Sequence, residues 1–508
     1  MLRKVSKFLS SRLFLFALLI VVQFLFLVFS VFYLSRGQVF LYTALELCSV
    51  IAVIWIVGKA DNPSYKLAWA IPILLFPLFG GLFYLFLGNH RVGKKLSDRL
   101  EFFERAGYQQ VEKNEAVFSK LKSTSKHLSR QAEYIGSIAA YPVWQGTTST
   151  YFSIGEEMFE ALKTQLERAE KFIFMEYFIV ESGVMFDSIL AILRRKASEG
   201  VEVRFIYDDL GSISTLPSHY YRQLKGYGIK ACVFNPFTPV LSPAINYRDH
   251  RKICVVDGNV GFTGGINLAD EYINAIVKHG HWKDSGVMIE GQAVWNLTMM
   301  FLQIWNFTTG ESDDYEQYRP VKVKEDDGFI QPFGDVPLDR NNISEYAYMQ
   351  IINGSYRYVY IMTPYLIIDN EMSTALIMAA QSGVDVRIIT PHIADKWYVH
   401  LVTQANYPRL IKNGIKIYEY TPGFVHAKNF VADDEVAIVG TANMDFRSFY
   451  LHFECGCAFF RNSAVQDVKR DFLETLRLCQ PITLEECKKQ NPFKTLLQAL
   501  LKMFAPLM

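Results

Sequence analysis

The sequence predicts an α/β protein in which two similar α/β domains form one pseudo-symmetric site, preceded by N-terminal transmembrane helices. Three observations support this fold class: a β-α-β rhythm that occurs twice, a set of polar residues that recurs at a constant spacing, and long apolar stretches near the N-terminus. The chain has 508 residues, half of them apolar, so it can bury more than one core.

The β-α-β rhythm appears once in residues 171–207 and again in residues 358–390. Each copy has two strand patterns on either side of an apolar stripe with helical spacing, and a glycine ends the helix: Gly200 in the first copy and Gly383 in the second. Repetition of this rhythm predicts two α/β domains, each with a largely buried sheet.

Three apolar stretches, residues 13–34, 40–57 and 67–87, have about the 20 residues that a helix needs to cross the hydrocarbon core. The first could instead be a signal peptide, but it is longer than a typical signal core and lacks a small-residue cleavage site. Basic clusters at residues 3–12 and 91–99 would both stay inside, which three spans cannot satisfy together.

The predicted organisation therefore begins with a membrane anchor of two or three transmembrane helices and ends with an amphipathic tail. The linker could be a surface helix or a packed connector, and the tail could lie at the membrane interface or pack on the domain. The predicted segments are the anchor 1–95, an amphipathic linker 96–129, a first α/β domain 130–325, a second α/β domain 326–480 and the tail 481–508.

Charge and cysteine content narrow the class of protein. The net charge is +1, so the chain lacks the basic excess of most nucleic-acid-binding proteins. Its seven cysteines are scattered without a disulfide pattern, which favours free thiols and a cytoplasmic location for the catalytic part.

A set of polar residues occurs twice. The second set follows the first at a constant distance of 176 residues (426 − 250 and 443 − 267). Such an ordered duplication indicates one site built from two halves. The members are His250, Lys252, Asp257, Gly264, Gly265 and Asn267 in the first copy, and His426, Lys428, Asp433, Gly440 and Asn443 in the second.

The spacing within each set suggests a local structure. A histidine and a lysine two residues apart on a strand point to the same face. Asp257-Gly258 and Asp433-Asp434 predict hairpin turns, after which the chain would return the glycines and the asparagine to the histidine. The turn positions of Asp257 and Asp433 favour structural hydrogen bonding over catalysis, although both belong to the motif.

These residues resemble the signature of the phospholipase D superfamily, His-x-Lys-x4-Asp followed by Gly-x2-Asn, over roughly residues 130–480. A closer resemblance is to bacterial cardiolipin synthases. The phrases that carry it are Asn246-Tyr247-Arg248-Asp249-His250-Arg251-Lys252, Tyr207-Asp208-Asp209-Leu210-Gly211-Ser212 and Gly440-Thr441-Ala442-Asn443-Met444-Asp445-Phe446-Arg447-Ser448. That family usually shows two N-terminal spans, so one apolar stretch here is extra.

The resemblance implies two phospholipase D-like domains and a two-step, metal-independent phosphatidyl transfer. One histidine would attack phosphorus and form a phosphohistidine, and the other would act as acid and then base. By analogy His250 is the nucleophile and His426 the acid/base, with the swapped assignment left open. Lys252, Lys428, Asn267 and Asn443 would bind the phosphoryl oxygens of the substrate.

A partner on the second ring nitrogen must fix the tautomer of each histidine. The resemblance implies an acid about 25–35 residues downstream of each one, and Asp284 and Glu454 stand at those places. A surface or helix-capping carboxylate is the alternative for both. No metal site is predicted, because His279 and His281 have no companion acids at metal spacing.

The implied function is condensation of two phosphatidylglycerol molecules to cardiolipin and glycerol, without a cofactor, in the bacterial cell membrane. The expected partners are phosphatidylglycerol, cardiolipin and the lipid bilayer, with no nucleic acid. The oligomeric state stays open, a homodimer being one option. A hydrolase that uses water as acceptor is the main alternative, and a membrane scaffold is a second.

Overall fold

A computed structural model describes residues 36–77, 80–81, 84, 88, 94–108, 114–237, 243–338, 341–489 and 491–507. The chain divides into two compact units. One comprises the described parts of residues 1–93, 237–245 and 503–508, and the other comprises those of residues 94–236 and 246–502.

The smaller unit contains two helices, α1 (Arg36–Val57) and α2 (Pro63–Leu75), and a short 3-10 turn, Ala505–Leu507. Proline suits the first position of α2, and the Asn62 side chain caps the helix by accepting from the Ser64 N–H. A small apolar cluster holds the helices together: Ile56, Tyr65, Trp69, Ile73 and Tyr84.

The three predicted membrane spans have different outcomes in the structure. Residues 13–34 lie outside the described part of the chain, and residues 40–57 fall within α1. Of the third stretch, residues 67–75 belong to α2, which ends at Leu75, and residues 78–79, 82–83 and 85–87 lie outside the described part of the chain. None of the helices in the described residues is both long enough and apolar enough to cross a membrane.

The larger unit begins with three helices, α3 (Lys94–Tyr108), α4 (Glu115–Thr124) and α5 (Lys126–Ile138). In α3, Leu100 and Phe103 are buried, and the Arg99 guanidinium donates to the Phe307 carbonyl at 2.7 Å. These contacts agree with the packed-connector alternative for this segment.

The first half is organised around a seven-stranded sheet with the order β1-β9-β7-β6-β2-β3-β4. Strands β2, β3 and β4 are parallel, and the remaining pairs are antiparallel. The bounds of these strands and of two short ones are β1 (Thr147–Phe152), β2 (Phe172–Tyr177), β3 (Glu202–Asp208), β4 (Lys230–Phe234), β5 (Arg248–Asp249), β6 (Ile253–Val256), β7 (Val260–Gly264), β8 (His281–Lys283) and β9 (Gly286–Gly291).

The second half repeats this plan with the order β10-β19-β17-β16-β11-β13-β14-β20, and β5 pairs with β19 off this path. The bounds are β10 (Phe329–Asp335), β11 (Tyr358–Met362), β12 (Leu366–Ile367), β13 (Asp385–Pro391), β14 (Lys416–Tyr420), β15 (Gly423–Val425), β16 (Asn429–Ala432), β17 (Val436–Gly440), β18 (Met444–Asp445), β19 (His452–Phe460) and β20 (Cys479–Pro481).

One helix, α10, is buried all round between the sheets and contacts strands of both. Apolar residues cover all its faces, which is the pattern of a core helix. The helices after α5 are α6 (Gly155–Glu167), α7 (Val184–Ser198), α8 (Asp209–Ser212), α9 (Tyr220–Gly226), α10 (Val294–Thr309), α11 (Ile343–Gly354), α12 (Asn370–Gln381), α13 (Trp397–Lys412), α14 (Phe446–Tyr450), α15 (Ser463–Leu476), α16 (Leu484–Lys488) and α17 (Pro492–Met503).

The predicted β-α-β rhythm is confirmed in both halves. Strands β2 and β3 flank α7 in the first half, and β11 and β13 flank α12 in the second, each within a few residues of the predicted bounds. The residues predicted to end the helices, Gly200 and Gly383, both have φ +94°, a left-handed conformation that ends a helix at little steric cost when the residue is glycine.

Candidate active site

Each half carries the predicted hairpin, and its turn residues have positive φ. The turns join β6 to β7 and β16 to β17, with φ 53° at Asp257 and 54° at Asp433. The Asp257 carboxylate accepts from three consecutive backbone N–H groups, those of residues 170, 171 and 172, at 2.7–2.9 Å.

The Asp433 carboxylate makes the equivalent contacts with the N–H groups of residues 356, 357 and 358 at 2.8–2.9 Å. Each aspartate therefore ties its hairpin to the start of the neighbouring antiparallel strand, β2 in the first half and β11 in the second. In the first half, the whole of β6 separates Asp257 from Lys252. Because these carboxylates are fully engaged at the far end of the hairpin, their geometry favours a structural role.

The histidines and lysines do not lie within regular strands, contrary to the prediction. Residues 250–252 connect β5 to β6, and residues 426–428 connect β15 to β16. The reason is that β5 and β15 leave their own halves: β5 pairs in parallel with β19, and β15 pairs in parallel with β8. The two halves thus exchange short strands immediately before each histidine.

This exchange delivers each histidine to the acid of the other half. The His250 N–H donates to the Phe453 carbonyl at 2.9 Å, and the His426 N–H donates to the Lys283 carbonyl at 2.7 Å. The residue after Phe453 is Glu454, and the residue after Lys283 is Asp284.

The carboxylates consequently meet the histidines in a crossed arrangement. His250 Nδ1 lies 3.0 Å from both oxygens of Glu454, and His426 Nδ1 lies 2.6 Å from Asp284 Oδ2. The resemblance implied that each acid would serve the histidine upstream in its own copy. That pairing is wrong in the structure, although the predicted contact between an acid and a ring nitrogen is present at both histidines.

Both carboxylates are fully buried and held by further donors. The Ser285 N–H donates to Asp284 Oδ1 at 2.8 Å, and the Thr441 hydroxyl donates to Glu454 Oε2. Such contacts fix the orientation of each carboxylate, and a fixed carboxylate can in turn select one histidine tautomer.

The two lysines are also buried beside the histidines. Lys428 Nζ lies 2.9 Å from His426 Nδ1 and donates to the His426 carbonyl, while Lys252 Nζ donates to the His250 carbonyl. Burial lowers the pKa of Lys252 to about 8 and that of Lys428 to about 7. Lys428 interacts electrostatically with Lys252 and with carboxylates of both halves, so the two motifs share one site.

Burial also lowers the pKa of both histidines, to about 3 for His250 and about 4 for His426. The Lys428 charge lowers the pKa of His426 further, whereas Asp284 opposes that change. At neutral pH both rings are therefore uncharged before substrate binds. A neutral imidazole whose Nδ1–H points at a carboxylate has a lone pair on Nε2, which suits it for nucleophilic or general-base chemistry.

The two predicted substrate-binding asparagines differ in their surroundings. Asn267 is engaged within the protein: its Oδ1 accepts from the Ile179 N–H at 2.9 Å and its Nδ2 donates to the Tyr272 hydroxyl at 2.8 Å. Asn443 Oδ1 is buried and has no hydrogen-bond partner among the described residues. Of the two side chains, that of Asn443 is the one with an unused buried acceptor.

The surroundings of the two histidines are also asymmetric. An aromatic group packs around His426: Tyr272 at 5.5 Å, Trp282 at 5.2 Å and Phe424 at 5.9 Å between ring centroids. Around His250 the neighbours are Phe178 at 5.0 Å and a third histidine, His452, at 5.4 Å.

The sequence analysis did not identify His452 as a site residue. Its position two residues before Glu454, within β19, could have indicated it, because alternate residues of a strand share a face. Trp282 stands two residues before Asp284 in the same way. An indole in one half therefore corresponds to an imidazole in the other.

A buried charge network next to His250 was missed as well. Arg251 Nε lies 2.8 Å from Glu176 Oε1 and 3.0 Å from Asp249 Oδ1, and the Asp249 N–H donates to Asp208 at 3.1 Å. These residues fix the chain on either side of His250. Nothing in the spacing of the motif indicates that its intervening residues are buried ion-pair partners.

The arrangement as a whole pairs two nucleophile or base candidates with two lysines and two orienting carboxylates in a largely buried site. These groups can together attack a phosphodiester, form a covalent intermediate and stabilise the charge that develops on the phosphoryl oxygens. Three possible metal ligands also come together: single ligand atoms of His250, His452 and Glu454 all lie within 4.8 Å of one another.

Comparison with known proteins agrees with this chemistry. A family model described as "Cardiolipin synthase, PLD-like domain" matches residues 162–305 and 348–476, and one described as "Phospholipase_D-nuclease N-terminal" matches residues 47–89. An uncharacterized protein of Streptococcus mutans is 42% identical over 90% of this chain and 99% of its own length.

Cardiolipin synthases are similar over comparable lengths. That of Geobacillus kaustophilus is 35% identical over 92% of this chain and 94% of its own. That of Alkalihalophilus pseudofirmus is 34% identical over 96% of this chain and 99% of its own.

Among solved structures, the phosphatidylserine synthase of Haemophilus influenzae shares the fold. Its TM-score is 0.57 at 13% identity, over 74% of this chain and 97% of that one. The duplicated motif, the paired halves and these relatives lead to one conclusion: the chain belongs to the cardiolipin synthase family of phospholipase D-like proteins.

Proposed function

We propose that the protein is a cardiolipin synthase, which transfers a phosphatidyl group from one phosphatidylglycerol molecule to another and releases glycerol. The observation that carries the proposal is the crossed pair of buried histidine–carboxylate contacts, each with an adjacent lysine. The similarity to cardiolipin synthases over nine-tenths of the chain supports the choice of substrate.

In the first step His250 Nε2 attacks the phosphorus of phosphatidylglycerol. A P–N bond forms, the P–O bond to the glycerol headgroup breaks, and the leaving alkoxide takes a proton from His426. Lys252 and Lys428 stabilise the charge that develops on the phosphoryl oxygens.

In the second step His426 removes the proton from a hydroxyl of a second phosphatidylglycerol. That oxygen attacks phosphorus, the P–N bond breaks, and cardiolipin leaves while the His250 lone pair is restored. If water entered instead, the product would be phosphatidic acid, and the same site would be a phospholipid hydrolase.

The acid role requires His426 to carry a proton, although burial and Lys428 lower its pKa in the empty site. A bound phosphodiester brings a negative charge next to the ring and offsets the charge of Lys428. An anion at that position raises the pKa of His426. Lys428 Nζ lies 2.9 Å from His426 Nδ1, so its charge is close enough for a bound phosphodiester to offset its effect on the ring.

We further propose attachment to the bacterial cell membrane through the N-terminal region, as a multi-pass protein with its catalytic part on the cytoplasmic side. The apolar stretches of the sequence support this, as do the outward-facing apolar side chains of α1 and α2: Phe40, Ile54 and Leu67 are 77%, 67% and 61% exposed. All seven cysteines fall in the described residues and are free, as expected in the cytoplasm.

The domain division is also part of the proposal: an anchor in residues 1–95, a linker to 129, two phospholipase D-like domains with a boundary near 325, and a tail from 481. Both family-model segments lie within the two proposed domains. The strand exchange between β5 and β19 and between β15 and β8 explains why the halves act as one compact unit.

Trapping the covalent intermediate tests the mechanism. Enzyme mixed with phosphatidylglycerol carrying ³²P would be quenched and examined for acid-labile label on histidine. We expect label on His250, and none after His250→Ala. Label that survives in His250→Ala but is lost in His426→Ala would reverse the two roles, and label in neither histidine would contradict a phosphohistidine mechanism.

A further inference from the structure

His452 is a buried histidine with no evident structural role. It is 7% exposed, and neither of its ring nitrogens has a hydrogen-bond partner among the described residues. Its Nδ1 lies 3.7 Å from Glu454 Oε1, which is within ion-pair distance but too long for a hydrogen bond. Buried polar groups are nearly always paired, so an unpaired imidazole in a catalytic site calls for an explanation.

The corresponding position in the other half shows that the site does not need a metal-binding side chain here. Trp282 packs its ring on His426 at 5.2 Å, much as His452 packs on His250 at 5.4 Å. The indole Nε1–H of Trp282 is also buried without a hydrogen-bond partner among the described residues, but an indole N–H offers no lone pair to a metal ion, so a ring without ligand atoms is sufficient to support the neighbouring histidine. The imidazole adds ligand nitrogens without adding a hydrogen bond.

The ligand atoms around His452 suit a metal ion. His250 Nδ1 lies 3.0 Å from Glu454, and one ligand atom from each of His250, His452 and Glu454 lies within 4.8 Å of the others. Two ligand atoms on one tetrahedral zinc ion are about 3.3 Å apart, given bonds of about 2.0–2.1 Å. Since 4.8 − 3.3 = 1.5, a shift of at most about 1.5 Å between ligand atoms would complete a three-ligand site with an open fourth position.

We propose that His250, His452 and Glu454 form a binding site for a divalent transition-metal ion such as Zn²⁺, and that occupancy of this site inhibits the enzyme. The inhibitory part rests on the proposed function, because His250 is then the nucleophile. Two imidazoles and one carboxylate are a favoured ligand set for zinc.

The inhibition follows from the tautomer of His250. In the metal-free site Nδ1 carries the proton and donates to Glu454, which leaves the Nε2 lone pair for attack on phosphorus. A metal ion on Nδ1 takes that position, and the proton moves to Nε2. The ring stays neutral, but Nε2 no longer has a lone pair to form the P–N bond.

Titration of the full-length enzyme with Zn²⁺ in phosphatidylglycerol micelles measures whether the metal ion inhibits cardiolipin formation. We expect inhibition that EDTA reverses. His452→Phe keeps a ring against His250 but removes the ligand, and the Zn²⁺ concentration for half-inhibition should rise by about 100-fold or more, since losing even an outer-shell partner weakens metal binding about 10–100-fold. His279→Asn, outside the cluster, should respond like the wild type.

Binding of Co²⁺ shows whether the metal site exists, independently of any enzymatic activity. Co²⁺ should give visible d–d absorption bands in the wild type and in His279→Asn, but not in His452→Phe, whose thermal unfolding without metal should match the wild type. Absent bands in the wild type, equal bands in His452→Phe, or activation by Zn²⁺ would overturn the proposal. Cobalt bands that depend on His452 in a protein that forms no cardiolipin would refute the proposed function and leave the metal site standing.

Discussion

Glu454, in the second half of the chain, lies 3.0 Å from Nδ1 of His250, in the first half. Asp284 and His426 repeat this relationship in the opposite direction at 2.6 Å. Each histidine therefore has its carboxylate partner in the other half, and neither half contains a complete histidine–carboxylate pair. This dependence explains why the halves exchange strands next to the site.

The crossed pairing predicts which carboxylate serves which chemical step. A phosphatidyl donor with p-nitrophenol as leaving group needs no general acid, so its first step reports the nucleophile alone. With this donor we expect Glu454→Gln to slow release of p-nitrophenolate by up to about 10⁴-fold, the loss that follows when a serine protease loses the acid that fixes its histidine tautomer. Asp284→Asn should leave that release nearly unchanged and should slow turnover of phosphatidylglycerol.

The control for this pair is Glu345→Gln, which changes a buried carboxyl group that contacts neither histidine in the described structure. Any change that Glu345→Gln makes to the reaction rate should be the same with the p-nitrophenol donor as with phosphatidylglycerol. A slow p-nitrophenolate release in Asp284→Asn, with normal release in Glu454→Gln, would mean either that pairing follows the sequence copies or that His426 is the nucleophile. Location of the trapped label would separate these two cases.

Asp257 and Asp433 are expected to matter for stability. Replacing Asp257 with asparagine removes a charged acceptor from three backbone N–H groups. The asparagine keeps one acceptor oxygen, so about one charge-assisted hydrogen bond is lost, and the free energy of unfolding should fall by about 1.5–3 kcal/mol. Thermal unfolding measures this change, while kcat of the folded fraction should stay within about twofold. A kcat loss at unchanged Tm would assign Asp257 to catalysis.

Substitution of the two asparagines should have different effects, one on substrate binding and the other on the stability of the fold. Asn443→Ala removes a buried acceptor that has no partner among the described residues and to which a hydroxyl of the glycerol headgroup can donate, so kcat/KM should fall about 10–100-fold with little change in Tm. Asn267→Ala leaves the Ile179 N–H unpaired, which should lower the free energy of unfolding by about 1–3 kcal/mol. Equal effects on kcat/KM and Tm in the two variants would contradict this distinction.

Stability should fall in mild acid because the two histidines are buried and uncharged. Their pKa values in the folded protein, about 3 and about 4, lie below the 6.5 of an unfolded histidine. Between those values the unfolded state binds more protons, so stability is present above about pH 6.5 and is lost as the pH falls towards 4. We expect a lower Tm at pH 5 than at pH 7, and a smaller difference in His426→Asn. An equal or larger difference in that variant would contradict the inference.

The sequence predicted the sheets and the motif hairpins because these depend on local patterns. Alternation, helical spacing and the Asp257-Gly258 turn are all read within short windows. The contact between Glu454 and His250 spans 204 residues and depends on the parallel pairing of β5 with β19. Motif spacing is identical in the two copies, so it cannot distinguish own-copy pairing from crossed pairing.

The burial of charged side chains next to His250 was the second feature that the sequence did not predict. Arg251 and Asp249 flank His250 and look like solvent-exposed charges, yet they form ion pairs inside the protein. His452 has no counterpart in the duplicated motif, and its importance follows only from its distance to His250 and Glu454.

The most direct test of the proposed function follows both products at once. Full-length enzyme in phosphatidylglycerol vesicles should form cardiolipin and glycerol one for one, and His250→Ala and His426→Ala should each abolish both products. Glycerol released with phosphatidic acid and without cardiolipin would show that water is the acceptor, and it would contradict the assignment as a cardiolipin synthase.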